Sequence, residues 1–221
     1  MAKKKAISED GLLTAYMEYV LEGEGERNVY KFSKSVGVPE AEFYQHFGSL
    51  ESVERRVWDK LIENAINTVT ADKRYDAFSH SDKILSLLFT FFENCTLNRS
   101  YLLQSMKENP GVKARFDLWG LMRNRFRKHV EHVFAKDEQA VGGRVEKEVK
   151  RVQKRGIEEG LWAQLVFLLD FWKNDDSKGF EKTDAAIEKT VKVAINLIDT
   201  TPLESILDLG KFLWKERVAK A

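Results

Sequence analysis

The stretch Asn28-Val29-Tyr30-Lys31-Phe32-Ser33-Lys34-Ser35-Val36-Gly37-Val38-Pro39-Glu40-Ala41-Glu42-Phe43-Tyr44-Gln45-His46-Phe47 decides how the chain is read. Val29, Phe32 and Val36 recur at spacings of three and four, which places them on one face of a short helix. Gly37-Val38-Pro39 then predicts a tight turn, because glycine admits the left-handed C-cap and proline suits the start of a helix. A second short helix is expected over Glu40 to His46. Two short helices about a four-residue turn are the arrangement that lays the second helix into the major groove of DNA.

Outward from this core, the same reading continues. Ser8 with Glu9 and Asp10 predicts a capped helix to about Leu21, ended by Gly23 and Gly25. From Ser49, the stripe Leu50, Val53, Val57 and Leu61 predicts a long helix. Ser79-x-x-Asp82 is a capping-box pattern before Ile84, Leu88 and Phe92. Asn109-Pro110 is expected to open a helical stretch through Phe116, Trp119, Phe126 and Val130. A charged helix from Gly142-Gly143 to about Gly160 should precede a separate apolar one, Leu161 to Trp172, buried on more than one side. Phe180–Asp199 carries two apolar rows, Ile187/Val191/Ala194/Ile198 and Ala186/Val193/Leu197. Thr201-Pro202-Leu203-Glu204 predicts the start of a last helix, to about Val218. The expected fold class is all-α.

Composition narrows the function classes. The 221 residues are 43% hydrophobic and 32% charged, which excludes wholesale disorder. One cysteine, Cys95, excludes an internal disulfide and suits a reducing, cytoplasmic setting. No secretory h-region follows Met1, and no run is apolar enough for stable membrane insertion. Glycine-rich phosphate loops, paired catalytic carboxylates and a serine elbow are all missing, so no enzyme and no cofactor is expected. His129-x-x-His132 has helical spacing but lacks a local third ligand, so it reads as a solvated or partly buried pair rather than a metal site. Cys95 reads as a small core residue.

Charge is uneven. Residues 1–70 hold nine Lys and Arg against twelve Asp and Glu, and the rest holds 27 against 23. The basic excess is densest from Arg123 to Arg155 and reads as a solvated face that could attract an anionic ligand or lipid headgroup.

The combination Ser35-Val36-Gly37-Val38, then Phe43-Tyr44-x-His46-Phe47-x-Ser49-x-Glu51, resembles the N-terminal domain of the TetR family of transcriptional regulators, over about residues 7–66. The resemblance implies a three-helix DNA-binding domain over residues 1–50, a linking helix to about 70, and a larger C-terminal helical domain over 51–221 for ligand binding and dimerisation. It implies a homodimeric, ligand-responsive regulator whose partner is operator DNA. By position, Asn28, Lys31, Tyr44 and His46 would meet phosphates, and Glu40, Glu42 and Gln45 would face bases, alongside Ala41. Pro39, Ala41, Glu42 and Leu50 depart from the family's usual serine, glycine, threonine and lysine. In such a fold Phe89, Phe92, Trp119, Phe126 and Trp162 would hold an apolar small molecule or lipid. Leu161–Trp172 and Phe180–Asp199 would form a four-helix dimer interface. The alternative is a TetR-fold protein that binds a lipid or other apolar molecule and has lost DNA binding.

Overall fold

A computed structural model describes residues 7–23, 27–135 and 144–200. The lysines at 3–5, Gly142-Gly143 and the helix expected over 203–218 lie outside the described residues. Among those described, every regular element is helical: α1 (Glu9–Glu22), α2 (Val29–Val36), α3 (Glu40–Phe43), α4 (Leu50–Thr70), α5 (His80–Leu97), α6 (Arg99–Glu108), α7 (Val112–Leu118), α8 (Gly120–Phe134), α9 (Arg144–Lys173) and α10 (Glu181–Thr200). Short 3-10 turns occupy Tyr75–Ala77 and Lys178–Phe180.

The helix starts follow their caps. Ser8 Oγ accepts from the Gly11 amide, and Asn28 Oδ1 accepts from the Lys31 amide. Ser49 and Ser52 form a reciprocal box at the start of α4. Ser79 Oγ accepts from the Asp82 amide and donates to its carboxylate, as the capping pattern predicts. Such caps stabilise by about 1 kcal/mol each.

The chain forms two compact units. The first holds the described residues up to Asp72 together with Thr90–Phe126. In it, Phe32 is fully buried and meets Tyr16 and Phe43 edge-on, at 5.8 and 5.9 Å between ring centroids. Trp58 packs edge-on against Trp119 at 5.5 Å. Its indole Nε1 donates to Ser105 Oγ, which in turn donates to Glu54 Oε1 at 2.6 Å, and Asn109 Nδ2 donates to the same oxygen. Burial raises the Glu54 carboxyl above its ordinary range, against the hydrogen bond from Ser105. Arg27 and Glu108 form an ion pair from the start of α2 to the end of α6.

The second unit holds Lys73–Phe89 and the described residues from Arg127 onward. Here α9 and α10 pair through Leu165, Leu168, Leu169, Trp172, Ile187 and Val191, all fully buried. Gln164 Nε2 donates to Thr190 Oγ1 and sets their register. Asp175 closes the connection: it accepts from the amides and hydroxyls of both Ser177 and Thr183. Burial opposes its charge, but these four donors hold its carboxyl well below the usual range.

Three expectations change. Gly160 ends nothing: α9 runs unbroken through Gly156 and Gly160, since an interior glycine costs only about 1 kcal/mol and the buried row from Leu161 outweighs it. The stretch after Pro110 is two helices, with Trp119 leaving helical geometry between α7 and α8. The Leu161–Trp172 segment is open on one side, where Phe167 is 54% and Phe171 36% exposed.

Candidate functional site

Gly37, in the left-handed conformation at φ 69°, ends α2, and its amide together with that of Val38 returns to the carbonyls of Lys34 and Ser33. The α3 helix begins at once, but Pro39 supplies no side-chain cap. Only Glu40–Phe43 is regular α-helix. The expected continuation to His46 is made of tighter turns, with Gln45 N bonded to Glu42 O and His46 N to Phe43 O. Phe43 and Phe47 turn inward beside Phe32. The geometry is a helix–turn–helix.

This arrangement separates the seven candidate DNA residues into groups. Tyr44, Gln45 and His46 are consecutive and exposed, with Tyr44 at 53%. Asn28 and Lys31 are exposed one turn apart at the start of α2, and Asn28 spends its oxygen on capping the helix. Glu40 and Glu42 are half-buried. Glu42 Oε1 accepts from the Ile7 amide at 2.9 Å, a link across 35 residues that no local pattern in the sequence announces. Leu50 is buried, so the position where the family pattern has lysine serves here as core. Tyr30, on the outer side of α2 and 60% exposed, is a further aromatic on this surface. Its place opposite Phe32 in the helical repeat was the signal that could have found it.

The five candidate ligand residues divide between the units. Phe92, Trp119 and Phe126 belong to the first and are buried; Phe89, half-buried, and Trp162, buried, belong to the second. Trp119, Met122 and Phe126 share one inward face at the α7–α8 turn. The indole Nε1 of Trp119 is buried and has no hydrogen-bond partner among the described residues. Two surface grooves also open, one of about 330 Å³ between α1 and α4 floored by Leu13, Val57 and Leu61, and one of about 250 Å³ beside Phe167 and Phe171. Neither is lined by the five aromatic candidates.

The basic run is less free than its sequence suggests. Arg125 pairs with Asp59 and Glu63, Arg127 with Glu158 and Glu159, and Lys154 with Glu131. Arg123 lies over the Phe116 ring at 5.1 Å. These cations serve the fold's own carboxylates and an aromatic face.

The histidine pair is split. His132 is exposed, whereas His129 is 7% exposed and its Nε2 lies 2.8 Å from the Tyr75 hydroxyl. Burial lowers His129 to about 4, with His132 and Lys83 adding to the effect, and burial raises Tyr75 to about 12. The imidazole is therefore neutral at pH 7, and its Nε2 is occupied by the hydrogen bond with the Tyr75 hydroxyl. Among the described residues no group of three His, Cys, Asp or Glu could hold a metal ion. Cys95 is fully buried, as a core residue should be, and burial raises its thiol. No described helix is long and apolar enough to cross a membrane.

Residues 83–213, more than half of the chain, match the family described as "Tetracyclin repressor-like, C-terminal domain". The chain belongs to that family. A search among curated proteins finds no match to it.

Proposed function

We propose that the chain is a ligand-responsive, DNA-binding transcriptional regulator acting as a homodimer. One observation carries this reading. The turn at Gly37 buries Phe32, Phe43 and Phe47 and leaves Lys31, Tyr44, Gln45 and His46 exposed on the helix–turn–helix. Tyrosine, histidine and lysine supply phosphate contacts that position the protein, and glutamine supplies a bidentate partner for adenine.

The ligand would be apolar and of modest size, held around Phe92, Trp119 and Phe126. The unpartnered Trp119 indole N–H is a donor for one acceptor atom on it. Ligand binding would shift the population toward dimers whose two recognition helices no longer match successive major grooves. The dimer would form through the exposed row of α10, where Val193 is 67% and Leu197 65% exposed, together with Phe167 and Phe171 of α9.

Selection of protein-bound fragments from the source genome tests this reading. Recovery of a recurrent, roughly palindromic site supports it. Recovery of none, with an apolar molecule co-purifying in native mass spectrometry, would favour a lipid-binding role without DNA.

A further inference from the structure

We propose that the ligand held beside Trp119 carries an oxyanion head, a carboxylate or a phosphate monoester on an apolar body, and that Arg115 and Arg123 bind this head together with the Trp119 indole N–H. The inference rests on the ligand-responsive reading above and names the chemistry of that same site. Its basis is a row of three donor side chains across the α7–α8 turn. The Trp119 amide bonds to the Arg115 carbonyl at 2.9 Å, and the Arg123 amide to the Trp119 carbonyl at 2.8 Å, so the four-residue repeat runs through the turn. Side chains four apart in such a repeat stand above one another on one face. Trp119 is 3% exposed, and its Nε1 is buried with no hydrogen-bond partner among the described residues. A buried donor is rarely left in that condition, and each exception calls for a group that comes to meet it. Arg115 and Arg123 stand one turn to either side, both half-buried.

The charge of this turn is one-sided. From Gly111 to Asn124 stand Lys113, Arg115 and Arg123 against one carboxylate, Asp117. The Arg123 guanidinium is held over the Phe116 ring at 5.1 Å, which fixes a cation beside the row. Phe116 is 56% and Leu121 46% exposed, so the turn opens to solvent on its apolar side, while Met122 and Phe126 are buried behind it. A neutral acceptor would satisfy the Trp119 N–H alone. An oxyanion satisfies it and also uses the two charges that flank it, because its oxygens only accept and a planar guanidinium matches two of them at once. The head then faces the turn, and the apolar body stays with Phe92 and Phe126.

The test is calorimetric titration of the full-length chain with 2-naphthoate, 2-naphthyl phosphate and the neutral 2-naphthamide, and with decanoate and decanamide as an aliphatic pair. Charge-assisted hydrogen bonds are roughly twice as strong as neutral ones, so an anion should bind at least about ten-fold more tightly than the amide of the same body. The tighter of the naphthoate and the phosphate identifies the head. Arg115→Gln and Arg123→Gln should each bring the anion-to-amide ratio toward unity. Lys113→Gln removes the same charge two residues from Arg115, off the row, and should leave the ratio in place. Trp119→Phe should weaken anion and amide alike, because both lose the donor; should that variant not fold, the arginine variants carry the test. Amides that bind as tightly as the anions overturn the oxyanion head and leave the apolar-ligand reading standing. A loss in Lys113→Gln equal to that in the arginine variants also overturns it, because diffuse charge would then be the whole effect. If no probe binds below millimolar concentration the proposal falls as well, while recovery of a genomic site would keep the regulator reading.

Discussion

Asp59 on α4 and Arg125 on α8 are joined by two parallel hydrogen bonds, Nε to Oδ1 at 2.6 Å and Nη2 to Oδ2 at 2.8 Å, across 66 positions of sequence. Asp59 is buried and also accepts from Arg56 Nη1 at 2.6 Å. Arg56 reaches Glu9 and Glu63 as well, and Lys60 pairs with Asp10, so one network ties α1, α4 and α8. Burial opposes the charge on Arg56, but its carboxylate partners raise it above its ordinary value.

Asp59→Ala should cost about 1–3 kcal/mol in denaturant titration, because Arg56 keeps Glu9 and Glu63 and Arg125 keeps Glu63. Arg125→Met should cost more, toward about 3–5 kcal/mol, because it leaves the buried Asp59 carboxylate with one of its three hydrogen bonds, that from Arg56. Equal effects from the two would show that the burial of Asp59 is not what matters.

The pH dependence of stability should centre on His129. Its folded value, about 4, lies below the ordinary 6.5, so the folded protein refuses a proton that the unfolded chain accepts. Stability is full above about pH 6.5 and falls progressively as pH drops toward 4, by roughly 3 kcal/mol at 1.36 kcal/mol per unit. His129→Gln should flatten thermal unfolding midpoints across that window. His132→Gln, at an exposed neighbour, should leave the dependence in place.

For the dimer, Leu197→Glu and Val193→Glu should each give a folded monomer in light scattering at micromolar concentration, because both side chains point outward. Val191→Glu should instead unfold the protein, because Val191 is fully buried. A dimer that survives both outward substitutions would place the interface elsewhere.

DNA binding should separate by residue type. Lys31→Ala should weaken binding to all duplexes alike and make the salt slope shallower by about 1. Gln45→Ala should cost about 1–3 kcal/mol on the selected site only. A uniform loss from Gln45→Ala would assign it to phosphate rather than to a base.

Much of this fold is legible in the sequence because its signals are local. Ser8, Asn28, Ser49 and Ser79 cap helices, and Gly37 takes the one conformation that glycine favours there. The family reading from residues 7–66 agrees with a match found independently over 83–213. What the sequence hides is long-range. Nothing near Glu42 announces Ile7, nothing near Arg125 announces Asp59, and the Arg123–Arg155 run looks solvated until its partners are seen. Glycine misleads in α9, because its propensity is a weak local cost and the buried row around it is a larger tertiary gain.

The chain of donors from Trp58 through Ser105 to Glu54 makes that indole an optical gauge. Its emission depends on the field along its N–H, and the raised carboxyl at the far end changes that field when it ionises. Fluorescence followed through the acid titration would thus report the charge at the α4–α6 junction without an attached dye. Because the Trp119 ring meets Trp58 at 5.5 Å, a molecule settling beside Trp119 would be seen by the same light.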